Sequence, residues 1–378
     1  MDFIDLKKQY QIIKPSVQKR LNAILDRSGY IMGPEVLELE SALAQFAGVP
    51  HCVTCSSGTD ALLLALMSHG VGPGDAVFTT PFTFFATAEV IALVGATPVF
   101  VDVDAATFNM DAAKLRNAIA LFKNGTPVTG KFPQGLTPKA IIGVDIFGLC
   151  SDYDAIEAIA RDNKLVLIED AAQSFGATYK GRRSCSFGSI GCTSFFPAKP
   201  LGCYGDGGAL FLHDKERDDL VRSLRVHGQG VDKYENVRIG INGRLDTMQA
   251  AVLLAKMELF ENELAARQRV ALRYSDGLRQ VCTVPHIPEG YTSAWAQYSV
   301  LSPHRDRIIA ALSKQHIPTA IYYTKPLHLQ TAFAYLGYEA GSLPVAEALS
   351  KEIFSLPMHP YLGEQDQDTI INAIKASV

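Results

Sequence analysis

Short runs of apolar, often β-branched residues alternate with amphipathic stretches between about residues 50 and 230. The apolar runs predict strands at residues 51–55, 76–80, 98–102, 139–147, 165–170, 189–196 and 207–213. The stretches between them predict helices at residues 59–69, 83–94, 111–119, 152–163 and 214–227. Such alternation is typical of an open, mostly parallel sheet that helices cover on both faces. The pattern therefore predicts a large α/β domain.

The pattern changes after Gly243. Apolar residues spaced three and four apart predict one long helix that reaches about Leu278. Beyond it the sequence predicts strands at 297–301 and 319–323 and helices at 343–356 and 366–376. We expect a large domain at residues 1–243, with an N-terminal helical segment, and a connecting helix with a smaller α+β domain at 244–378. Residues 121–138 are rich in turn formers and predict a surface loop away from any site.

Composition narrows the class of protein. Of the 378 residues 48% are hydrophobic, which is ample for two cores, and the net charge of −4 gives no reason to expect nucleic acid as a partner. No apolar run approaches the roughly twenty residues of a membrane span, and no signal peptide begins the chain. The odd, scattered set of seven cysteines indicates reduced thiols. Cys52 and Cys55 lack a second pair at zinc spacing. We expect a cytoplasmic protein without a metal site.

Residues 56–60 (Ser-Ser-Gly-Thr-Asp) join the first predicted strand to a helix. Small residues let the backbone approach an anion, and a helix N-terminus offers unpaired N–H groups, so this turn suits a phosphate. Taken alone, the same residues favour an ordinary N-cap with a tight turn.

Two further features follow strands of the predicted sheet. Asp170 comes, with Glu169 before it, at the end of a run of four apolar residues, so it either caps the next turn or pairs with a cation on a ligand. Lys199 lies between Pro197 and Pro200 in an apolar segment. Most lysines are solvated surface residues, but burial here would lower the pKa of the amine, as a nucleophilic lysine requires.

Ligands bind at the carboxyl ends of strands in an open parallel sheet, where all three features lie. A phosphate cradle, a strand-end aspartate and a desolvated lysine together indicate a site for pyridoxal 5′-phosphate (PLP). The lysine would bond to the cofactor aldehyde, and the aspartate would keep the ring nitrogen protonated so that the ring accepts electrons.

The chain resembles the DegT/StrS family of nucleotide-sugar aminotransferases in motifs spread over nearly its whole length. The matching segments are 3–6, 30–35, 169–173 (Glu-Asp-Ala-Ala-Gln), 194–199 (Ser-Phe-Phe-Pro-Ala-Lys), 205–208 (Gly-Asp-Gly-Gly), 242–246 (Asn-Gly-Arg-Leu-Asp) and 356–360. The resemblance implies the fold type I architecture of PLP-dependent transferases, similar to aspartate aminotransferase. It also implies a homodimer with shared active sites.

The resemblance assigns roles to single residues. Lys199 would be the Schiff-base lysine and would move the proton during amino transfer, Asp170 would pair with the ring nitrogen, and Gln173 would lie near the ring hydroxyl. Phe84 would stack on the ring. The phosphate contacts would be Gly58, Thr59, Ser194 and the partner subunit's Asn242. Since related dehydratases carry histidine in place of Lys199, the resemblance favours an aminotransferase.

Segments 199–208 and 244–249 are most similar to one subgroup of the family. Its members use L-glutamate, with pyridoxamine phosphate as intermediate, to aminate C3 of UDP-2-acetamido-2-deoxy-3-keto-D-glucuronate for the O-antigen of lipopolysaccharide. The uronate carboxylate would need a cation or several donors. The candidates are Arg244, Tyr322, Tyr323 and His328, although Arg244 could instead cap or pair at the dimer interface, and the tyrosines suit a half-buried strand. Two other functions stay open: amination of a 4-keto-6-deoxy nucleotide sugar, and a non-catalytic PLP-binding regulator.

Overall fold

The computed structural model describes residues 1–126, 129–232 and 234–378. The α-helices are α1 (Leu6–Arg27), α2 (Pro34–Ala47), α3 (Gly58–Ser68), α4 (Ala86–Leu93), α5 (Ala112–Lys123), α6 (Tyr153–Asn163), α7 (Lys215–Arg225), α8 (Thr247–Leu278), α9 (Arg305–Lys314), α10 (Pro344–Glu352) and α11 (Glu364–Lys375). The strands are β1 (His51–Cys55), β2 (Asp75–Thr79), β3 (Thr97–Phe100), β4 (Thr137–Val144), β5 (Val166–Asp170), β6 (Thr178–Tyr179), β7 (Arg182–Arg183), β8 (Ile190–Ser194), β9 (Gly208–Leu212), β10 (Tyr291–Thr292), β11 (Tyr298–Leu301) and β12 (Ile353–Leu356).

The described residues form a mixed, mostly parallel sheet of seven strands in the order β1-β9-β8-β5-β4-β2-β3. The five strands β8, β5, β4, β2 and β3 are parallel to one another, whereas β9 runs antiparallel to both β8 and β1. The carboxyl ends of all strands except β9 therefore lie at one edge. The seven strands predicted between residues 51 and 213 are confirmed, each to within three residues.

Helices cover both faces of this sheet, as the strand–helix alternation predicts. The core on one face joins the sheet to α3, α4 and α7. On the other face α5 and α6 cover the half that contains β2 and β4, and α2 and α8 cover the half that contains β1 and β9. The central strands β4 and β5 are buried on both faces, because helices pack against each face of the sheet at these strands.

The C-terminal part corrects two predictions. The helix predicted at 343–356 ends at Glu352, because the apolar run Ile353–Leu356 pairs with Tyr298–Leu301 as a fully buried strand. The strand predicted at 319–323 is wrong, since within it only Ala320 forms a single bridge, to Ser355. The long helix after Gly243 is confirmed as α8. The domain division at residue 243 stays a prediction.

The segment 121–138 begins with the end of α5 and leads into β4. Two of its residues, 127 and 128, lie outside the described part of the chain. Phe132 packs its ring at 6.0 Å from the rings of Phe122 and Tyr338, so the segment contacts the body of the protein as well as solvent. In the described ranges no helix has the length and apolarity that crossing a membrane requires.

Candidate active site

A cavity of about 440 Å³ opens at the edge of the sheet where the parallel strands end. The turns after β1, β2, β5 and β8 supply most of its walls, as the rule for open parallel sheets predicts. Nine of the residues predicted for the site line it: Gly58, Thr59, Phe84, Asp170, Gln173, Ser194, Lys199, Tyr322 and Tyr323. Among the described residues of segment 121–138, none lines it.

One wall is the N-terminus of α3. Ser57 caps this helix by accepting a hydrogen bond of 3.0 Å from the backbone N–H of Asp60. A Cβ atom on Gly58 would lie only 2.6 Å from the Cβ of Ser194. The first turn of the helix can therefore approach the end of β8 this closely only because residue 58 is a glycine. The backbone N–H groups at Gly58 and Thr59 thus lie beside the Ser194 hydroxyl, a donor set that suits a phosphate.

Asp170 ends β5 and is buried beside the cavity. Its carboxylate accepts hydrogen bonds from the Thr87 hydroxyl at 2.7 Å and from the backbone N–H of Ala172 at 3.2 Å. Burial raises the pKa of Asp170, and these two bonds and the charge of Lys199 lower it only in part. A cation in the cavity would therefore stabilise the ionised carboxylate.

Lys199 lies across the cavity on a loop that the sequence makes compact. Its backbone N–H donates to the carbonyl of Phe196 at 2.8 Å. Gly202 lies so close to this loop that a Cβ atom on it would be only 2.5 Å from the carbonyl oxygen of Pro197. Burial lowers the pKa of Lys199 to about 8, although the charge of Asp170 acts in the opposite direction. Part of the amine is therefore uncharged near neutral pH, as the sequence predicts for a nucleophilic lysine.

Gln173 is fixed from two sides. Its carbonyl oxygen accepts a hydrogen bond of 2.7 Å from the backbone N–H of Phe147, and its amide donates one of 3.0 Å to the hydroxyl of Tyr323. Phe84 lines the cavity with 60% of its surface exposed, so its ring is available to a ligand.

Three residues predicted for the site do not line the cavity. Asn242 is exposed and forms a backbone bridge with Val226. Arg244 is half-buried, and its Nε has no hydrogen-bond partner in the described ranges. His328 is buried, and its Nε2 lies 3.0 Å from a carboxylate oxygen of Glu347. The structure does not bring His328 to the cavity, and the roles given to these three residues stay predictions.

The cavity also contains residues that sequence analysis missed. Thr87 is one, and its hydroxyl lies 3.1 Å from that of Thr83, four residues earlier and before α4 begins. The spacing of four between two threonines after β2 was the available signal. Gln297 lines the cavity just before β11, and it has no sequence signal that distinguishes it from other polar strand residues.

These residues fit pyridoxal phosphate. Within the described ranges no cationic side chain forms an ion pair with the buried Asp170, and the protonated ring nitrogen would supply that charge. The helix N-terminus with Ser194 suits the phosphate. Lys199 offers an amine of lowered pKa in the same cavity.

The fold is fold type I of the PLP-dependent transferases. The chain belongs to the DegT/DnrJ/EryC1/StrS aminotransferase family, which it matches over residues 11–375, and it is a sugar aminotransferase by class. It is 48% identical to the UDP-2-acetamido-2-deoxy-3-oxo-D-glucuronate aminotransferase of Pseudomonas aeruginosa over 96% of each chain.

Two solved structures are similar along the whole chain. An aminotransferase of the same family from Brucella abortus is 51% identical and superposes with a TM-score of 0.95, covering 100% of this chain and 99% of that one. NtdA from Bacillus subtilis with bound cofactor PMP is 25% identical with a TM-score of 0.87, covering 99% of this chain and 83% of that one.

Proposed function

We propose that this protein uses pyridoxal phosphate to move the amino group of L-glutamate to the C3 ketone of UDP-2-acetamido-2-deoxy-3-keto-D-glucuronate. The products are the 3-amino sugar and 2-oxoglutarate, and the pathway is the synthesis of O-antigen sugars. The observation that carries the reaction type is that Lys199, with its lowered pKa, faces the same cavity as the buried Asp170. The substrate rests on the similarity to the relative from Pseudomonas aeruginosa.

Pyridoxal phosphate, when bound, supplies an electron sink that stabilises negative charge at the carbon that loses a proton. Lys199 supplies the amine that holds the cofactor, and it then accepts and returns that proton. Asp170 stabilises positive charge on the ring nitrogen. Gln173, held by Phe147 and Tyr323, would lie near the ring hydroxyl. Gly58, Thr59 and Ser194 would hold the phosphate.

The sugar would bind on the open side of the cavity. Tyr322 and Tyr323 line it there, and both can donate hydrogen bonds to a carboxylate. The orphaned Nε of Arg244 makes this guanidinium a candidate for the uronate carboxylate. His328 could act on the sugar only through its neighbours, because Glu347 and the surrounding core enclose it.

We also propose a homodimer in which Asn242 completes the phosphate site of the partner. Exposed apolar residues precede it in the sequence, including Val231, Val237 and Ile239, and exposed apolar side chains in one segment are typical of an interface. Mixing inactive Lys199→Ala with inactive Asn242→Ala subunits should restore activity, because a mixed dimer contains one intact site. If mixing restores nothing while the subunits exchange, the sites are not shared.

The proposed domain division keeps residues 1–243 with the sheet and 244–378 with the connecting helix and smaller unit. A separate core formed by residues of α8, α9, α11, β11 and β12 supports it. The cytoplasm is the proposed location, since all seven cysteines are buried and free.

The experiment is turnover of the 3-keto uronate and of a 4-keto-6-deoxy nucleotide sugar, side by side, with L-glutamate. We expect a higher kcat/KM with the 3-keto uronate, no turnover by Lys199→Ala, and normal turnover by Lys351→Ala, which alters an exposed lysine. A preference for the 4-keto sugar would replace the proposed substrate. A protein that binds PLP but never forms 2-oxoglutarate from glutamate would be a regulator.

A further inference from the structure

Two acidic side chains, those of Asp145 and Glu169, lie behind the edge of the sheet that would bind the cofactor. Glu169 belongs to β5, and Asp145 follows β4. The strand register sets Glu169 beside Gly143, and Asp145 is two residues further along, so both side chains project from the same face. Asp170 projects from the opposite face, toward the cavity. Asp145 and Glu169 are 1% and 0% exposed.

Glycines on both neighbouring strands make room for this pair. Glu169 is aligned with Gly143 on β4 and with Gly191 on β8. A Cβ on Gly191 would lie 2.6 Å from the carbonyl oxygen of Cys185, and one on Gly143 would lie 3.5 Å from the ring of Tyr153. The loop that contains Cys185 and the Tyr153 ring can therefore pack directly over the two carboxyl groups.

Neutral donors surround Asp145. It accepts hydrogen bonds from the backbone N–H of Ser151 at 2.8 Å, the hydroxyl of Tyr153 at 2.7 Å and the hydroxyl of Ser174 at 2.8 Å. The charge of Asp145 also raises the pKa of Glu169, so the two carboxyl groups interact.

The hydrogen-bond donors to the Glu169 carboxyl group are backbone N–H groups. Its two oxygens accept from the N–H groups of Cys185 at 2.6 Å and Phe187 at 2.9 Å. The titratable groups that face the pair are Tyr153, Cys150 and Cys185, and burial raises the pKa of each. In the described ranges no lysine, arginine or histidine forms an ion pair with either carboxyl group.

Two ionised carboxylates side by side on one buried face, with no cation paired to them in the described ranges, would repel each other in a medium of low dielectric constant, so one of them must be protonated. The protonated group can then donate a hydrogen bond to its ionised neighbour, which only accepts. Burial, and then the charge of Asp145, raise the pKa of Glu169 well above its usual value, in agreement with this requirement.

We propose that Asp145 and Glu169 hold one proton between them and act as positioning residues that fix the turn carrying Asp170 and Gln173. Asp145 is attached to the turn at two points: the Ser174 hydroxyl donates to its carboxyl group, and its backbone N–H donates to the carbonyl of Asp170 at 3.1 Å. The positioning role rests on the proposed function, since it concerns residues that would hold the cofactor. The proposal of a shared proton is independent of that function.

The proton is tested on protein without cofactor, by infrared difference spectroscopy of wild type minus Glu169→Gln and wild type minus Asp145→Asn. Each variant replaces the shared proton with an amide donor of similar shape. We expect the carbonyl stretch of one protonated carboxylic acid in both differences at neutral pH, and none with Glu339→Gln, which alters an exposed glutamate. Absence of that band in both differences would overturn the shared proton, whatever the protein catalyses.

The positioning role is tested by the dissociation constant of PLP. Ser174→Ala removes one attachment of the turn and leaves the pair, so affinity should fall about tenfold while the infrared band remains. We expect the affinity of the wild type to decline at alkaline pH, where the shared proton leaves. Glu169→Gln should keep affinity within about threefold at neutral pH and should lack this decline. Unchanged affinity in Ser174→Ala, or an identical alkaline decline in both proteins, would overturn the positioning role. Failure of every variant and of wild type to bind PLP would contradict the proposed function instead.

Discussion

The hydroxyl of Thr87 donates a hydrogen bond of 2.7 Å to the carboxylate of Asp170. Thr87 lies in the first turn of α4, after β2, whereas Asp170 ends β5, and β4 lies between these two strands. The bond therefore connects a helix to the key acidic residue across the width of a strand. Among the interactions that oppose the effect of burial and lower the pKa of Asp170, this bond comes first.

Thr87→Val removes this donor and keeps the shape of the side chain. We expect the pKa of Asp170 to rise further, because burial then acts with less opposition, and the affinity for PLP to fall about tenfold, as the loss of a hydrogen bond to a charged group predicts. The measurement is a PLP titration followed by absorbance. Thr87→Ser keeps the hydroxyl and should bind as wild type does; equal affinity in Thr87→Val would show that the bond is not needed.

Gly58→Ala tests the close approach at the phosphate end. The added Cβ would lie 2.6 Å from that of Ser194, so we expect a loss of roughly 1–3 kcal/mol in the free energy of unfolding. Gly58→Ala with Ser194→Gly should recover most of this stability but not the phosphate affinity, since the Ser194 hydroxyl is gone. Gly72→Ala is the control, with its nearest atom at an ordinary 3.6 Å. A Gly58→Ala protein as stable as wild type would contradict this packing.

The contact of Gln173 with Tyr323 joins the β5 turn to the segment that lines the open side of the cavity. A double-mutant cycle with Gln173→Leu and Tyr323→Phe, read by PLP affinity, should give a coupling energy of about 0.5–3 kcal/mol. Strictly additive effects would mean that the two residues act on the ligand separately.

The pH dependence of Lys199 has a definite sign. Its pKa is lowered to about 8, so its amine loses the proton as pH rises through that value, and the rate of covalent attachment to PLP should rise and then level off. Between about pH 8 and pH 10 the unfolded chain binds more protons than the folded one, so stability without cofactor should rise relative to Lys199→Met. Stopped-flow absorbance and urea unfolding measure the two effects. Parallel stability curves for the two proteins would contradict the lowered pKa.

The sequence was sufficient for every strand of the large sheet, because strands buried on both faces are continuous apolar runs bounded by turns. It was not sufficient near the C-terminus. Ile353–Leu356 continues the apolar spacing of the preceding helix, and only its pairing with Tyr298–Leu301 shows that it is a strand. Strand order, and the reversed direction of β9, likewise depend on contacts far apart in the chain.

The same limit applies to the site. Lys199 and Asp170 were predictable because a charged residue in an apolar context has few explanations. Thr87 was not: its spacing from Thr83 could suggest a contact between the two hydroxyls, but nothing in the sequence connects Thr87 with Asp170 before α4 and β5 are brought together. The attachment of His328 to Glu347 was equally invisible, because it depends on a buried loop rather than on local sequence.

The central claim is that Lys199 bonds to the cofactor. The chain offers a matched comparison in Lys256, a buried lysine of α8 whose pKa burial also lowers to about 8. The direct measurement is peptide mapping by mass spectrometry after incubation with PLP and reduction with borohydride. The pyridoxyl group is predicted on Lys199 and absent from Lys256; a label on Lys256, or on neither lysine, would contradict the account.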